Sequence, residues 1–361
     1  MRARPRVLLL NNYPMESALR GWRAGTYPGH HLWGAAGLDE HGFDVVIPPY
    51  TGLPRLTRFL EPHTPKTWGD LDQQLRAWLQ IDCDVIYSAC QYTSGLLARL
   101  HTRRLLRTPV VALAHHEIAH DRAGEAFVAG HTRLLCLSRE VQALLAGRFA
   151  VPEERTRVLD WGPELRFYGE PTQGNDELPA EPLIVSVGKS FRDHDTLASA
   201  ADAEGLSTLV AGTPPRPPFA SKHVRVMPVY EAGPHIPYPE VLRLCRGARV
   251  LAIPLVNTPG LAGLTSLVDA LGLGKPVIMT RNRLVDIDVE AEGIGLWVEP
   301  GDVAGWRDAL RTLASDEPRC REMGRRAREL AERRYNQDTF TEQLAHELSL
   351  AISDPRPIGR C

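Results

Sequence analysis

Residues 263–280, GLTSLVDALGLGKPVIMT, combine small side chains, a hydroxyl and a carboxylate in a pattern that favours an anion site. Ser266 and Asp269 have the spacing of a capping box, which predicts a helix starting at Ser266, and Gly274 predicts its end. Free backbone N–H groups and the dipole at a helix start favour a phosphate oxygen. Asp269 lies one turn in, where it either accepts hydrogen bonds from ribose hydroxyls or only caps its own helix.

Two cations, Lys189 and Arg192, follow Gly188 at the end of a predicted strand. Cations beside backbone N–H groups can neutralise a bound anion such as a phosphate. Arginine offers a planar fork of donors, whereas lysine offers a point charge. The alternative is that both are solvated loop residues.

A pair of histidines, His115 and His116, follows an apolar run that predicts a buried strand, and Glu117 comes next. A histidine at the carboxyl end of a strand could hydrogen-bond a ligand. The alternative is a histidine satisfied by neighbouring backbone. The sequence leaves open which of the two faces a ligand.

Alternating short apolar runs and helical patterns predict two parallel sheets with crossover helices, one in each half of the chain. The predicted strands are 6–10, 43–47, 85–88, 110–114 and 134–137 in the first half, and 183–187, 208–211, 224–227, 250–253 and 277–279 in the second. The predicted helices include 31–41, 93–107, 303–313, 319–334 and 339–352. Residues 161–181 are rich in Gly, Pro and acidic residues, which is typical of an interdomain linker.

The composition is that of a globular protein, with 361 residues, 43% apolar, 24% charged and a formal net charge of −2. This charge gives no reason to expect nucleic acid as a partner. The six cysteines have no Cys-x-x-Cys spacing, so we expect reduced thiols and a cytoplasmic location. No apolar run is long enough to span a bilayer, so we expect no integral membrane segment. Asp-x-Asp pairs begin at residues 70, 82, 193 and 286, but so short a motif occurs often by chance, and we assign no metal.

Several segments, in order and spacing, resemble the retaining glycosyltransferase family 4 (glycosyl transferases group 1), which has the GT-B fold. RVLLLNNYP resembles its opening strand and loop, RTPVVALAHHE its histidine segment "PVVVTVHD", and RVLDWGPELRFYG its "VIPNGVDLERF". In the second half, LIVSVGKSFRDHDTLASAA is similar to "VLYVGRLVPEKGVDTLLEA", and the segment at 263–280 to "EAMAAGKPVIAT". The resemblance covers nearly the whole chain.

The resemblance implies an α/β protein of the GT-B class, with two doubly wound, parallel-sheet Rossmann-like domains facing a central cleft. Residues 1–170 would bind the acceptor and residues 171–335 the nucleotide sugar. Residues 336–361 would form a C-terminal helix that crosses back to the first domain. A ligand is expected at the carboxyl ends of the strands.

The resemblance also assigns roles to individual residues. Catalytic roles fall on His115, Lys189 and Arg192. Donor binding falls on Gly25, Gly188, Val229, Tyr230, Leu264, Thr265, Ser266 and Asp269. Weaker assignments to the acceptor fall on Asn12, Tyr13, His116 and Glu117.

One position departs from the family pattern, in which two glutamates are often separated by seven residues near the diphosphate. Asp269 matches the second, with a side chain one methylene shorter, but Leu261 occupies the first position. The missing carboxylate normally lies near the donor sugar, so the identity of the sugar is open. A subgroup with "AGQTTVLEAMALGKPVI" also lacks it, and we interpret the chain as such a variant.

We therefore expect a glycosyltransferase of the hexosyltransferase class that moves a sugar from a nucleotide donor to a hydroxyl of a small soluble acceptor, with retention and without metal or further cofactor. The donor base (UDP, GDP or ADP form) is open, as is a homodimer. An Arg-rich composition suggests a bacterial specialised metabolite, such as an antibiotic precursor. The alternatives are a GT-B nucleotide-sugar epimerase and a non-catalytic nucleotide-sugar-binding partner. A dinucleotide dehydrogenase is disfavoured because Gly-x-Gly-x-x-Gly does not follow the first strand.

Overall fold

The computed structural model describes residues 4–64, 68–79, 81–169, 183–212, 221–228, 237–258 and 260–359. The chain divides into two compact units. The N-terminal unit comprises Met1–Trp161 together with Gln337–Cys361, and the C-terminal unit comprises Gly162–Asn336. Most of the predicted linker lies outside the described residues.

The N-terminal unit is built on a six-stranded parallel sheet of order β2-β1-β3-β4-β5-β6. Its strands are β1 (Arg6–Leu10), β2 (Asp44–Val46), β3 (Val85–Ser88), β4 (Val110–Ala114), β5 (Arg133–Cys136) and β6 (Thr156–Val158). Its α-helices are α1 (Met15–Arg23), α2 (Pro54–Leu60), α3 (Leu71–Leu79), α4 (Gly95–Thr102), α5 (Arg122–Gly130), α6 (Arg139–Phe149) and α13 (Gln337–Ser353). The central strands are buried on both faces, as their unbroken apolar runs predict.

The predicted helix at 31–41 is wrong. A 3₁₀ helix covers Gly29–Leu32, and a series of turns follows it. Trp33 and Gly34 both have positive φ, which a right-handed helix cannot accommodate. A side chain at Gly34 would also lie 2.5 Å from Leu344, so the turns allow close packing against α13. The α-helix after β1 is α1, at Met15–Arg23.

The last helix, α13, packs within the N-terminal unit. Phe340, Leu344 and Leu348 are fully buried. A buried ion pair joins Glu347 to Arg133 of β5, with 2.5 Å between the guanidinium nitrogen and the carboxylate oxygen. Removing one partner of this pair would leave an uncompensated buried charge and so disturb the packing of α13 on this sheet.

The C-terminal unit is built on a second six-stranded parallel sheet, of order β12-β11-β10-β7-β8-β9. Its strands are β7 (Ile184–Gly188), β8 (Thr208–Gly212), β9 (Val224–Pro228), β10 (Val250–Ile253), β11 (Val277–Thr280) and β12 (Gly295–Val298). Its α-helices are α7 (Leu165–Tyr168), α8 (His194–Ala203), α9 (Tyr238–Gly247), α10 (Leu264–Leu273), α11 (Val303–Ser315) and α12 (Glu317–Arg333). The short α7 lies within the predicted linker.

The predicted fold class is confirmed: each unit is a wound α/β domain with a parallel sheet. In such a sheet the carboxyl ends of all strands meet at one edge, so the polar residues that follow β1, β3 and β4 share an edge, as do those that follow β7, β10 and β11. Among the described residues, no helix combines the length and apolar character needed to cross a membrane.

Candidate active site

The helix in the C-terminal unit's candidate site, α10, begins at Leu264, two residues before the predicted start. The capping-box prediction is therefore wrong, because Ser266 lies in the first turn rather than at the cap. The cap position is Gly263, whose φ of +86° is left-handed and whose Cβ would lie 2.7 Å from Met279 Cε. Glycine has no side chain to bind the first N–H groups of the helix, and a helix start of this kind favours an anion. Gly274 ends the helix in a left-handed conformation, as predicted.

A guanidinium lies beside this helix start. Arg192 Nη2 donates to Ser266 Oγ at 2.8 Å, and Arg192 Nε donates to the carbonyl of Val187 at 3.2 Å. Ser266 Oγ donates to the same carbonyl at 3.2 Å. The end of β7, the guanidinium and the first turn of α10 thus form one hydrogen-bonded unit, which places a fixed positive charge next to free N–H groups.

Gly188 makes room for that guanidinium. Its φ is +139°, and a Cβ there would lie 2.5 Å from Arg192 Nε. The need for glycine at this position follows from the packing of Arg192. Lys189 comes next, with an exposed side chain, and Thr265 is exposed in the first turn of α10, whereas Leu264 is buried.

Asp269 is buried and does not cap its own helix. Its Oδ1 accepts hydrogen bonds from the hydroxyls of Tyr168 at 2.6 Å and Tyr238 at 2.5 Å. Burial raises the pKa of Asp269 to about 6, and the two phenol hydrogen bonds oppose part of that rise because they stabilise the charged form. A carboxylate held in this way can accept a ligand hydroxyl in a nearly dry environment.

Leu261, which occupies the position where the family pattern often has a glutamate, lies in the loop before α10. This side chain is partly buried and packs against the hydrophobic core of the unit. The loop is held by Asn282, which follows β11 and whose Nδ2 donates to the carbonyls of Gly260 at 3.1 Å and Ala262 at 3.2 Å. Sequence reasoning missed Asn282, although a polar residue three positions past a predicted buried strand was a usable signal.

In the N-terminal unit, His115 and His116 follow β4 directly, and Gln91 holds their backbone. Gln91 Oε1 accepts from the N–H of His115 at 2.7 Å and from that of His116 at 3.1 Å. His115 Nε2 lies 2.8 Å from the carbonyl of Ala89, so Nε2 carries the proton and donates. Burial lowers the pKa of His115 to about 4 and lowers that of His116 as well. His115 is therefore neutral at pH 7, with Nδ1 as its acceptor atom.

The other predicted acceptor residues differ in their surroundings. Asn12 is exposed, and its carbonyl accepts from Tyr50 Oη at 3.1 Å. Tyr13 donates to the carbonyl of His31 and accepts from Trp33 Nε1 at 2.9 Å, so its hydroxyl is used inside the unit. Glu117 pairs with Arg148 of α6 at 3.2 Å.

Three predicted donor residues remain. Gly25 is exposed just after α1, with a φ of +69° and open space where a side chain would be. Val229 and Tyr230, the predicted base pocket, lie outside the described residues. No group of three or more His, Cys, Asp or Glu residues suited to a metal ion occurs in the described ranges.

The chain has the GT-B fold, and its similarity to glycosyltransferases of that fold agrees with the resemblance recognised in the sequence. No protein-family model matches the chain. It is 24% identical over 324 residues to D-inositol 3-phosphate glycosyltransferase of Nocardia farcinica, covering 79% of this chain and 70% of that protein.

Two solved structures are similar to the chain over nearly its whole length. Anabaena HepE in complex with UDP-glucose superposes with a TM-score of 0.65 at 15% identity, covering 96% of this chain and 100% of that one. AviGT4, a glycosyltransferase involved in avilamycin A biosynthesis, has a TM-score of 0.61 at 17% identity and covers 97% of this chain and 98% of that one.

Proposed function

We propose that this protein transfers a hexosyl group from a nucleotide-sugar donor to a hydroxyl of a small acceptor. The observation that carries the proposal is the hydrogen bond between Arg192 and Ser266 beside the uncapped start of α10. A cation and free N–H groups held together in advance suit a diphosphate leaving group, because they require no reorganisation as charge develops. The solved complex of HepE with UDP-glucose supports a donor of this class.

In the proposed mechanism the donor diphosphate binds the N–H groups of Leu264, Thr265 and Ser266. Arg192 and Lys189 neutralise the charge that forms as the glycosidic bond breaks. No metal is needed in this scheme, because these groups supply the positive charge. Asp269 accepts hydrogen bonds from the ribose.

We further propose front-face transfer with retention of configuration, in which the leaving diphosphate takes the proton of the acceptor hydroxyl. The residues near His115 bind the sugar or the acceptor in this scheme. Because its pKa is about 4, His115 acts as a neutral hydrogen-bonding group and not as a general acid.

The acceptor is proposed to bind the N-terminal unit, at Asn12, Tyr13, His116 and Glu117. A specialised metabolite is the proposed class of acceptor, and the similarity to AviGT4 supports it. The cytoplasm is the proposed compartment. None of the described cysteines forms a disulfide, which suits a reducing environment; they are Cys83, Cys90, Cys136, Cys245 and Cys320.

The experiment is incubation of the purified protein with UDP-, GDP- and ADP-sugars, followed by NMR and mass spectrometry. Slow release of nucleoside diphosphate with free sugar, or sugar transfer to an added polyol acceptor with the anomeric configuration kept, supports the proposal. Interconversion of the donor sugar supports an epimerase instead. Binding without turnover supports a non-catalytic partner, for which Leu261 in place of a carboxylate is the motivating observation.

A further inference from the structure

Three side chains from three helices of the C-terminal unit meet at one atom. Tyr168 ends α7, Tyr238 begins α9, and Asp269 lies in the second turn of α10. Both phenol hydroxyls donate to Asp269 Oδ1, at 2.6 Å and 2.5 Å, and the two phenol oxygens are 3.4 Å apart. We call these three residues the tyrosine–aspartate cluster.

Tight packing holds Tyr168 in place. Its ring lies against Gly272, where a Cβ would be 2.8 Å from the ring carbon Cγ. Its carbonyl accepts from Arg246 at 3.1 Å. Arg328 of α12 donates to the carbonyls of Gly169 at 2.8 Å and Gly272 at 2.9 Å, and so ties the end of α7 to α10. Tyr168 therefore cannot leave Asp269 without disturbing α7, α10 and α12.

The two hydrogen bonds from the phenols reach only one of the two carboxylate oxygens of Asp269. Both go to Oδ1, and no described residue donates a hydrogen bond to Oδ2. Asp269 is 8% exposed, and because a buried charge is costly, a further donor to Oδ2 would stabilise the carboxylate. Two donors on one oxygen fix the rotation of the carboxylate and leave the other oxygen for a ligand.

We propose that Tyr168 and Tyr238 are positioning residues that hold Asp269 through Oδ1, so that Oδ2 accepts a hydrogen bond from a ribose hydroxyl of the bound nucleotide. This inference rests on the proposed function, since it concerns the same nucleotide. It adds a specificity: the site selects ribonucleotides over deoxyribonucleotides, and the two phenols create that selection without contacting the ribose.

The groups that surround Asp269 are few in the described chain. Helix α7 supplies Tyr168, α9 supplies Tyr238 and Cys245, and α12 supplies Arg328, which binds the carbonyl of Gly272 on the same helix as Asp269. The phenols and the thiol have raised pKa values and stay neutral at pH 5–8. Asp269 is therefore the member of the cluster that titrates in this range.

The test compares the wild type with Tyr168→Phe and Tyr238→Phe, using Tyr335→Phe as a matched control in the same core. Calorimetry measures the affinity for whichever of UDP, GDP and ADP binds, and for its 2′-deoxy and 3′-deoxy analogues. We expect the wild type to prefer the ribonucleotide over at least one analogue by about 10-fold, the effect of one hydrogen bond to a charged group. Tyr168→Phe and Tyr238→Phe should each lose most of the preference for the ribonucleotide. Their affinity for the disfavoured deoxy analogue should change less than about twofold. Tyr335→Phe should behave as the wild type.

A second readout is the pH profile of ribonucleotide affinity. The phenol donors stabilise the charged carboxylate, so their loss should raise the pKa of Asp269. The pH midpoint below which ribonucleotide affinity falls should then rise in each variant. A purely structural role would not produce this shift. Equal losses for ribonucleotide and analogues, or an unchanged preference in both variants, would overturn the inference and leave the proposed function intact. If the wild type binds no nucleoside diphosphate at all, the proposed function is overturned.

Discussion

The guanidinium of Arg192 and the hydroxyl of Ser266 are joined by a hydrogen bond of 2.8 Å, although 74 residues separate them in the chain. The bond connects the residues that follow β7 to the first turn of α10. In the proposed mechanism this pair forms the diphosphate site before any ligand arrives. Its two members are brought together by the parallel order of β7 and β10 in the sheet.

Replacing Arg192 tests whether its positive charge contributes to the proposed sugar transfer. Arg192→Ala should lower kcat/KM by about 100-fold or more, because one preorganised donor to a developing charge is lost. Arg192→Lys should recover only part of the activity, since lysine keeps the charge without the fork. Steady-state kinetics checks both. Arg225→Ala, which removes an exposed arginine of β9, is the matched control and should leave the rate unchanged. Equal losses in all three variants would contradict a specific role.

A substitution at Gly188 should weaken nucleotide binding by displacing the side chain of Arg192. In Gly188→Ala the new Cβ would lie 2.5 Å from Arg192 Nε, and the backbone φ of +139° disfavours any side chain. We expect nucleotide affinity to fall about 10-fold as the guanidinium is displaced. The control is Gly301→Ala, which has a positive φ and open space around it, so it should cost about 1 kcal/mol of stability with no change in affinity. Calorimetry and urea unfolding separate the two effects.

The buried carboxyl of Asp269 should make stability depend on pH in an unusual direction. Its pKa is raised from 3.8 to about 6 in the folded protein. The folded state therefore holds the proton more tightly than the unfolded state, and this group adds to the free energy of unfolding as the pH falls from 7 to 5. The contribution is about 1 kcal/mol.

Urea unfolding at pH 7 and pH 5 measures this contribution as a difference between the wild type and Asp269→Asn. The variant should lack the increase, because an amide does not titrate. Asp308→Asn, at a side chain that is 75% exposed, serves as the control and should retain the increase seen in the wild type. A wild type and Asp269→Asn with the same pH dependence would show that Asp269 is not buried as described.

His115 should not titrate between pH 5.5 and 8. Its pKa is lowered to about 4, mainly by burial, and its Nε2 proton is donated to Ala89. NMR titration of the ring should therefore show no protonation above about pH 5. His115→Ala should reduce kcat/KM without changing the shape of the pH–rate profile between pH 5.5 and 8. If kcat/KM of the variant no longer fell on one side of the pH optimum, His115 would be identified as a general acid or base instead.

Local signals predicted much of the fold. The strand at Arg6–Leu10 was predicted to the residue, because unbroken apolar runs mark buried parallel strands. The end of α10 at Gly274 was predicted because glycine readily adopts the left-handed conformation found there. The helix at 31–41 failed because its apolar spacing is helical, whereas Gly34 is needed for contact with Leu344, far away in the sequence.

For the candidate site, the sequence predicted that Arg192 and Ser266 lie close together, but it did not predict the residues that support them. The proximity was predictable because both residues lie next to a strand end or a helix start, which sequence can locate. Tyr168 and Tyr238 were not predicted, because their contact with Asp269 depends on how α7, α9 and α10 pack. Gln91 likewise holds His115 and His116 across two strands, and no local pattern marks it.

The central claim is that the start of α10 binds the donor diphosphate, and a crystal structure with UDP, GDP or ADP tests it most directly. Diphosphate oxygens should lie within hydrogen-bond distance of the N–H groups of Thr265 and Ser266 and of the Arg192 guanidinium, with the ribose at Asp269. A nucleotide bound elsewhere, or no nucleotide bound at concentrations that saturate related enzymes, would contradict it.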